Sequence, residues 1–293
     1  MRHRSLAAAG AALINASVWG LSWLPLKWLE AHGVASLWAT WLIFAMCSLA
    51  VCLVHPAAPR LLWQHRRALG TLLFASGLTN ACFNAALASG DVVRSVLLFY
   101  LMPMWVVLLA RWLLGERVTL AAVVRVALAL SGAALVLGEG RVGWPIPERV
   151  ADWLAVAGGF CFGLNNVMLR KHAATPEAAR ALAMFAGAAL VAPLAIAALA
   201  VAGTLPALRP DGSAWLVLGL FTVAVLLGNV ALQYGAARLP ANVLSVLMLF
   251  EILVATLSAW LGGVATVSGS TLLGGALIVG ASVLALVRPG QPE

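Results

Sequence analysis

Apolar stretches of about 18 or more residues recur along the whole chain, and each is long enough to cross a hydrocarbon core of about 30 Å as a helix. The pattern predicts ten helices, over 5–29, 35–54, 68–88, 92–114, 119–137, 152–170, 179–202, 213–236, 240–261 and 268–287. Between them stand short pieces with loop chemistry, such as His55-Pro56-Ala57-Ala58-Pro59 and Leu208-Arg209-Pro210-Asp211-Gly212, none long enough for a domain. Arg2-His3-Arg4 before an apolar run resembles the start of a signal peptide. A retained first helix is expected instead, because the run continues through Trp19, Gly20, Trp23 and Pro25 to Lys27 without a small-residue cleavage site.

The chain also resembles itself. Trp19-Gly20-Leu21-Ser22-Trp23-Leu24-Pro25-Leu26-Lys27 in the first helix matches Phe162-Gly163-Leu164-Asn165-Asn166-Val167-Met168-Leu169-Arg170 in the sixth, keeping an aromatic residue, Gly-Leu and a terminal cation. Asn84-Ala85-Ala86-Leu87 and Asn229-Val230-Ala231-Leu232 pair the third and eighth helices, and Ser95-Val96-Leu97 and Ser245-Val246-Leu247 the fourth and ninth. The matches keep one order in both halves, at a spacing of about 143 to 150 residues. Five helices is an odd number, so the second copy enters the membrane from the opposite side. The expected fold is an all-α membrane protein of ten transmembrane helices in two inverted five-helix repeats, 1–138 and 152–293, joined by an outer linker over 139–151. Such architectures recur in secondary transporters, which hold solute between the halves near the bilayer midplane.

Composition agrees with a lipid solvent. The chain is 63% hydrophobic and 10% charged, with a mean hydropathy of +1.01, where a soluble domain carries about 25% charge. A net charge of +8 would suggest nucleic acid if the basic residues clustered, but they are spread over short connections. With the N-terminus inside, Lys27, Arg94, Arg141, Arg149 and Arg209 lie outside and the other thirteen of the eighteen basic residues lie inside, which favours cytoplasmic termini in a bacterial-type inner membrane. Cys47, Cys52, Cys82 and Cys161 all fall in apolar stretches without a CxxC pair or nearby His, so neither a metal nor a disulfide framework is expected. No cofactor is implied.

These residues resemble the drug/metabolite transporter superfamily, in its branch with two five-helix repeats. The resemblance is carried by Trp19-Gly20 with Lys27, by Leu101-Met102-Pro103 leading to Leu113-Leu114-Gly115-Glu116-Arg117-Val118-Thr119, and by the repeat counterparts, and it covers nearly the whole chain. Helix nine departs from the family pattern, with Glu251-Ile252 for Glu-Pro and Leu261-Gly262-Gly263 for an ending in Gly-Glu. It is therefore expected to be straighter than helix four, whose Pro103 should kink it. Within the superfamily Tyr100-Leu101-Met102-Pro103 is similar to bacterial aromatic amino acid exporters, which implies export of amino acids, aromatic ones first.

A cavity for such a solute needs an apolar, aromatic body and a few polar groups to orient the charged end. Trp19, Trp23, Tyr100, Met102 and Phe162 are candidates for the first, and Asn80, Asn84, Asn166 and Asn229, with Asn165 beside them, for the second. Aromatic residues in membrane helices also form interfacial belts, and Asn also bonds neighbouring helices. Glu251, the one acid well within a span, should face the interior, as a proton or ammonium site or as a neutral acid bonded within the bundle. Lys27 suits an interfacial anchor, and Asp91 with Arg94 an ordinary loop pair or a gate. Pro25 and Pro103 are hinge candidates. The expected partners are a small solute and the bilayer, with no nucleic acid, and a monomer is the expected unit. A multidrug exporter of the same superfamily is the nearer alternative. An intramembrane enzyme is the farther one, since all five histidines, His3, His32, His55, His65 and His172, lie in termini or loops.

Overall fold

The computed structural model describes residues 2–138, 146–203 and 205–287. Glu139, Arg141 and Arg288 of the charge pattern, and most of the 139–151 linker, lie outside them. All regular structure among the described residues is helical. The first half holds α1 (Arg2–Gly20), α2 (Trp23–Ala31), α3 (Ser36–Val54), the short α4 (Ala58–Gln64), α5 (Arg66–Ser89), α6 (Val92–Phe99), α7 (Met102–Leu113) and α8 (Leu120–Leu137). The second holds α9 (Val150–Lys171), α10 (Glu177–Val201), α11 (Gly212–Arg238), α12 (Ala241–Met248), α13 (Phe250–Leu261) and α14 (Gly269–Val287).

Among the described residues, eight stretches are long and apolar enough to cross a membrane: Leu6–Ala31, Ser36–Val54, Arg94–Leu113, Leu120–Leu137, Glu177–Val201, Gly212–Arg238, Ala241–Leu261 and Gly269–Val287. With 24 and 22 residues, α5 and α9 are long enough too, but Ser76, Thr79, Asn80 and Asn84 in one and Asp152, Asn165 and Asn166 in the other dilute their apolar character. Leu53, Phe74, Leu194 and Leu220 stand exposed on the flanks, as side chains in lipid do.

Three of the spanning stretches are broken. A proline lacks the N–H that would bond the carbonyl four residues back, and its ring crowds that carbonyl. Pro25 thus accounts for the turn at Leu21-Ser22 between α1 and α2, and Pro103 for the end of α6 at Phe99. Both hinge candidates therefore sit in the first turn of a new helix rather than in a helix interior. Pro193 does lie inside a continuous helix, α10. Helix nine of the sequence pattern, which lacks a proline after Glu251, is interrupted as well. It breaks at Leu249, where Leu249 N–H bonds the Val246 carbonyl (3.2 Å) and Ile252 N–H the Leu249 carbonyl (3.1 Å), a tighter turn than the α-helix makes.

α5 packs between α9 and α10, α3 on α10, α1 on α11 and α8 on α14. α6 and α7 lie along α9, as α12 and α13 lie along α1. The main core joins Met102 and Val106 of α7, Ala129 of α8, Leu169 of α9, Leu247 of α12 and Ile278 of α14. A second core joins Phe44 and Cys47 of α3 to Phe185 of α10 and Leu218 and Phe221 of α11.

Candidate functional site

The two breaks in α6/α7 and α12/α13 meet. Tyr100 ends α6, Glu251 lies in the first turn of α13, and the Tyr100 hydroxyl donates to Glu251 Oε1. An ionised carboxylate in the first turn of a helix also faces the positive end of the helix dipole. The Tyr100 ring meets Phe99 edge-on, with centroids 5.8 Å apart, and Phe99 stacks on Phe162 of α9 at 5.6 Å and leans on Phe83 of α5 at 4.4 Å. Phe99 is thus the hub of the aromatic group, a role no sequence signal marks, because it comes from the helix end that Pro103 creates.

Small residues admit this convergence. A side chain on Gly159 would collide with the Phe99 carbonyl, the one Pro103 cannot satisfy, and Gly158 lies against Thr79 and Phe83. On the other side, a Cβ on Gly20 would come within 2.6 Å of the Glu251 carbonyl oxygen, so the end of α1 presses on the start of α13. One turn further, Trp23 Nε1 donates to Ser258 Oγ at 3.0 Å and links α2 to α13. Trp23, Tyr100, Phe162 and Glu251 are thereby connected through α13 and Phe99.

The polar candidates divide. Asn80 and Asn84 donate to the carbonyls of Ser76 (3.1 Å) and Asn80 (2.8 Å) within α5, on the helix that carries Phe83. Asn166 of α9 is fully buried, and among the described residues neither end of its carboxamide has a protein partner; the Asn165 amide oxygen is in the same position. Such groups cost about 1–3 kcal/mol each when left unbonded. Asn229 is engaged elsewhere: its oxygen accepts from Gln233 (2.8 Å) and its amide meets the Met184 sulfur (3.5 Å). Trp19 stacks on Phe44 at 6.4 Å in the second core, apart from the Tyr100 group, and Met102 is wholly buried in the main core. A crevice of about 220 Å³ opens between α3, α10 and α11, lined among others by Val51, His55, Glu177 and Gln233, and none of the candidates borders it.

The charged residues are redistributed as well. Asp91 caps α6 by accepting the Arg94 backbone N–H (2.8 Å), while the Arg94 guanidinium turns to Asp152 of α9, with Nε 2.9 Å from Oδ2. Asp152 Oδ2 also accepts the backbone N–H groups of Glu148 (2.9 Å) and Arg149 (3.1 Å). The Arg94 guanidinium therefore ties α6 to α9 rather than pairing with Asp91. Among the described residues no cluster of His, Cys, Asp and Glu is arranged to hold a metal ion.

A bundle of apolar, broken helices around a partly buried aromatic and carboxylate group defines a multi-pass membrane transporter. Residues 6–138 match the EamA-like transporter family. Over 208 residues, 69% of each chain, the sequence is 30% identical to the aromatic amino acid exporter YddG of Ancylobacter novellus. The chain belongs to the EamA-like family of drug/metabolite transporters, as its motifs implied. A solved crystal structure with 22% sequence identity superposes with a TM-score of 0.79 over 96% of this chain and 97% of its own, a likeness of fold.

Proposed function

We propose that the protein is a secondary transporter that exports small metabolites, aromatic amino acids first, by alternating access between two inverted five-helix halves. The observation that carries the substrate is the kinship to an aromatic amino acid exporter, together with an aromatic wall beside a carboxylate. Phe83, Phe99, Phe162 and Tyr100 suit the flat side chain of the solute. Glu251 suits its ammonium group, and Asn80, Asn84 and Asn166 its carboxylate.

Counting α5 and α9 gives ten spans, and the contacts between them repeat with the halves exchanged. Gly163 of α9 faces the Met102 carbonyl and the Trp105 Cβ of α7, and Gly20 of α1 faces the Glu251 carbonyl and the Val254 Cβ of α13, a carbonyl and a Cβ three residues on in both cases. Gly158 of α9 meets Phe83 of α5, and 143 residues before it Asn15 of α1 meets Gly228 of α11, 145 residues after Phe83. Gly132 of α8 and Gly274 of α14 each approach the other's carbonyl, as a pair on a two-fold axis would. The halves are 1–138 and 152–293, with both termini cytoplasmic in a bacterial inner membrane and a monomer as the working unit.

The second reading is a multidrug exporter, since the same aromatic faces and carboxylate suit lipophilic cations. Liposomes holding the purified protein distinguish them in a flux panel of labelled tryptophan and phenylalanine, a cationic dye and a nucleotide sugar, with and without a pH gradient. Counterflow of the aromatic amino acids is expected. Movement of the dye alone would transfer the protein to the drug exporters. Reporter tags after α8 and at the C-terminus should face opposite sides of the membrane, and tags on the same side would end the inverted arrangement.

A further inference from the structure

α7 and α13 end alike. Each is followed by a glycine in the left-handed region, Gly115 at φ +73° and Gly263 at φ +68°. The Leu114 N–H bonds the Ala110 carbonyl at 3.0 Å, and the Gly262 N–H bonds the Ser258 carbonyl at 2.9 Å, so residues 114 and 262 correspond, as do 115 and 263. The next residue is where the ends part: Glu116 in one, Val264 in the other.

Glu116 is the knot of its end of the bundle. Its Oε1 accepts the N–H of Ala241, the first residue of α12, at 3.2 Å and lies 3.9 Å from Arg170 Nε at the end of α9. Arg170 Nη1 in turn donates to the Ala237 carbonyl near the end of α11 at 3.1 Å. One carboxylate thus holds the ends of α7, α9, α11 and α12 together, at a helix N-terminus whose dipole favours a negative charge.

At the opposite end the matching parts are Lys27, the repeat counterpart of Arg170, and Val264. Lys27 is exposed and, among the described residues, has no carboxylate within ion-pair distance; Val264 is 57% exposed. Past the break at Leu21-Ser22, α2 packs on α3 and α11 and meets α13 through the Trp23 to Ser258 bond. The Arg94 to Asp152 pair at that end ties α6 to α9, and its other partners, Glu148 and Ile146, lie on neither α2 nor α13.

We propose that Glu116 is a one-sided latch: it holds the bundle shut at the Arg170 end, while the Lys27 end lacks, among the described residues, the carboxylate that would lock it, so the resting transporter opens its solute site toward the Lys27 side. This rests on the alternating access proposed above and names what biases it. The test uses the full chain in lipid nanodiscs, with the native cysteines replaced and spin labels at Glu30 and Leu261 for one end and at Leu120 and Arg238 for the other. Glu116→Gln should lengthen the Leu120 to Arg238 distance. Val264→Glu should shorten the Glu30 to Leu261 distance, and adding Lys27→Met should reverse that. Each single change is expected to move the ratio of short to long distances about two- to fivefold, the range that a partly exposed ion pair supports. If L-tryptophan shifts both distances but neither latch variant does, the latch is wrong and alternation stands. If every variant keeps one fixed distance at each end, with or without L-tryptophan, alternation fails and the latch with it.

Discussion

The hydroxyl of Tyr100 donates to the carboxylate of Glu251, 151 residues away in the chain, and the bond joins the end of α6 to the first turn of α13. The two residues need each other. Even a partly buried carboxylate without a partner is costly in a bundle surrounded by lipid, and the phenol supplies its donor without adding a charge.

Glu251→Gln keeps the shape and can still accept from Tyr100, but it removes the charge. Any efflux of a cationic dye is expected to collapse in this variant, while export of zwitterionic tryptophan, whose carboxylate keeps its asparagine partners, is weakened but persists, as liposome flux would show. Tyr100→Phe leaves the carboxylate without its donor and should lower thermal stability by about 1–3 kcal/mol. Equal loss of dye and tryptophan transport in Glu251→Gln would show that the charge serves both solutes.

Asn166 should behave unlike a structural asparagine. Its carboxamide is fully buried and unbonded, so Asn166→Leu, close to it in volume, removes an unmet cost of about 1–3 kcal/mol. The expected result is a higher melting temperature together with slower tryptophan transport. A variant that loses stability would instead point to a bonded amide of purely structural use.

Arg94 and Asp152 form a partly buried pair in which the carboxylate also takes two backbone N–H groups. Asp152→Ala should therefore cost more than Arg94→Ala, because it frees a guanidinium and both backbone donors. A double-mutant cycle on thermal stability is expected to give a coupling of about 0.5–3 kcal/mol. Additive effects would reduce the pair to a coincidence of surface charges.

Pro103→Ala restores an N–H that can reach the Phe99 carbonyl and would straighten the junction of α6 with α7. Gly159 receives that carbonyl closely, so straightening also disturbs the seat of Phe99 on α9. Tryptophan turnover should fall several-fold while binding, measured by quenching of intrinsic fluorescence, is retained. Unchanged kinetics would remove Pro103 as a bending point.

The sequence by itself determined the helical class, the membrane-crossing character of the apolar stretches and the family. Water excludes long apolar stretches, lipid demands that their backbones be bonded internally, and both demands are local. Pro25 and Pro103 likewise marked their breaks through chemistry that acts within four residues. The break at Leu249 carries no such mark, and helix nine is expected from sequence to be straighter than helix four for that reason. Only the tertiary structure decided that Tyr100 meets Glu251, that Phe99 sits between Phe83 and Phe162, that Arg94 turns from Asp91 to Asp152, and that Asn229 and Trp19 are spent elsewhere. These contacts join residues from 16 to 151 positions apart or separate residues that looked alike, and their choice depends on which helix faces can approach at Gly20, Gly158 and Gly159. A periodic apolar sequence states that a helix will be buried in lipid, but the partner each face takes is settled by packing among all of them at once.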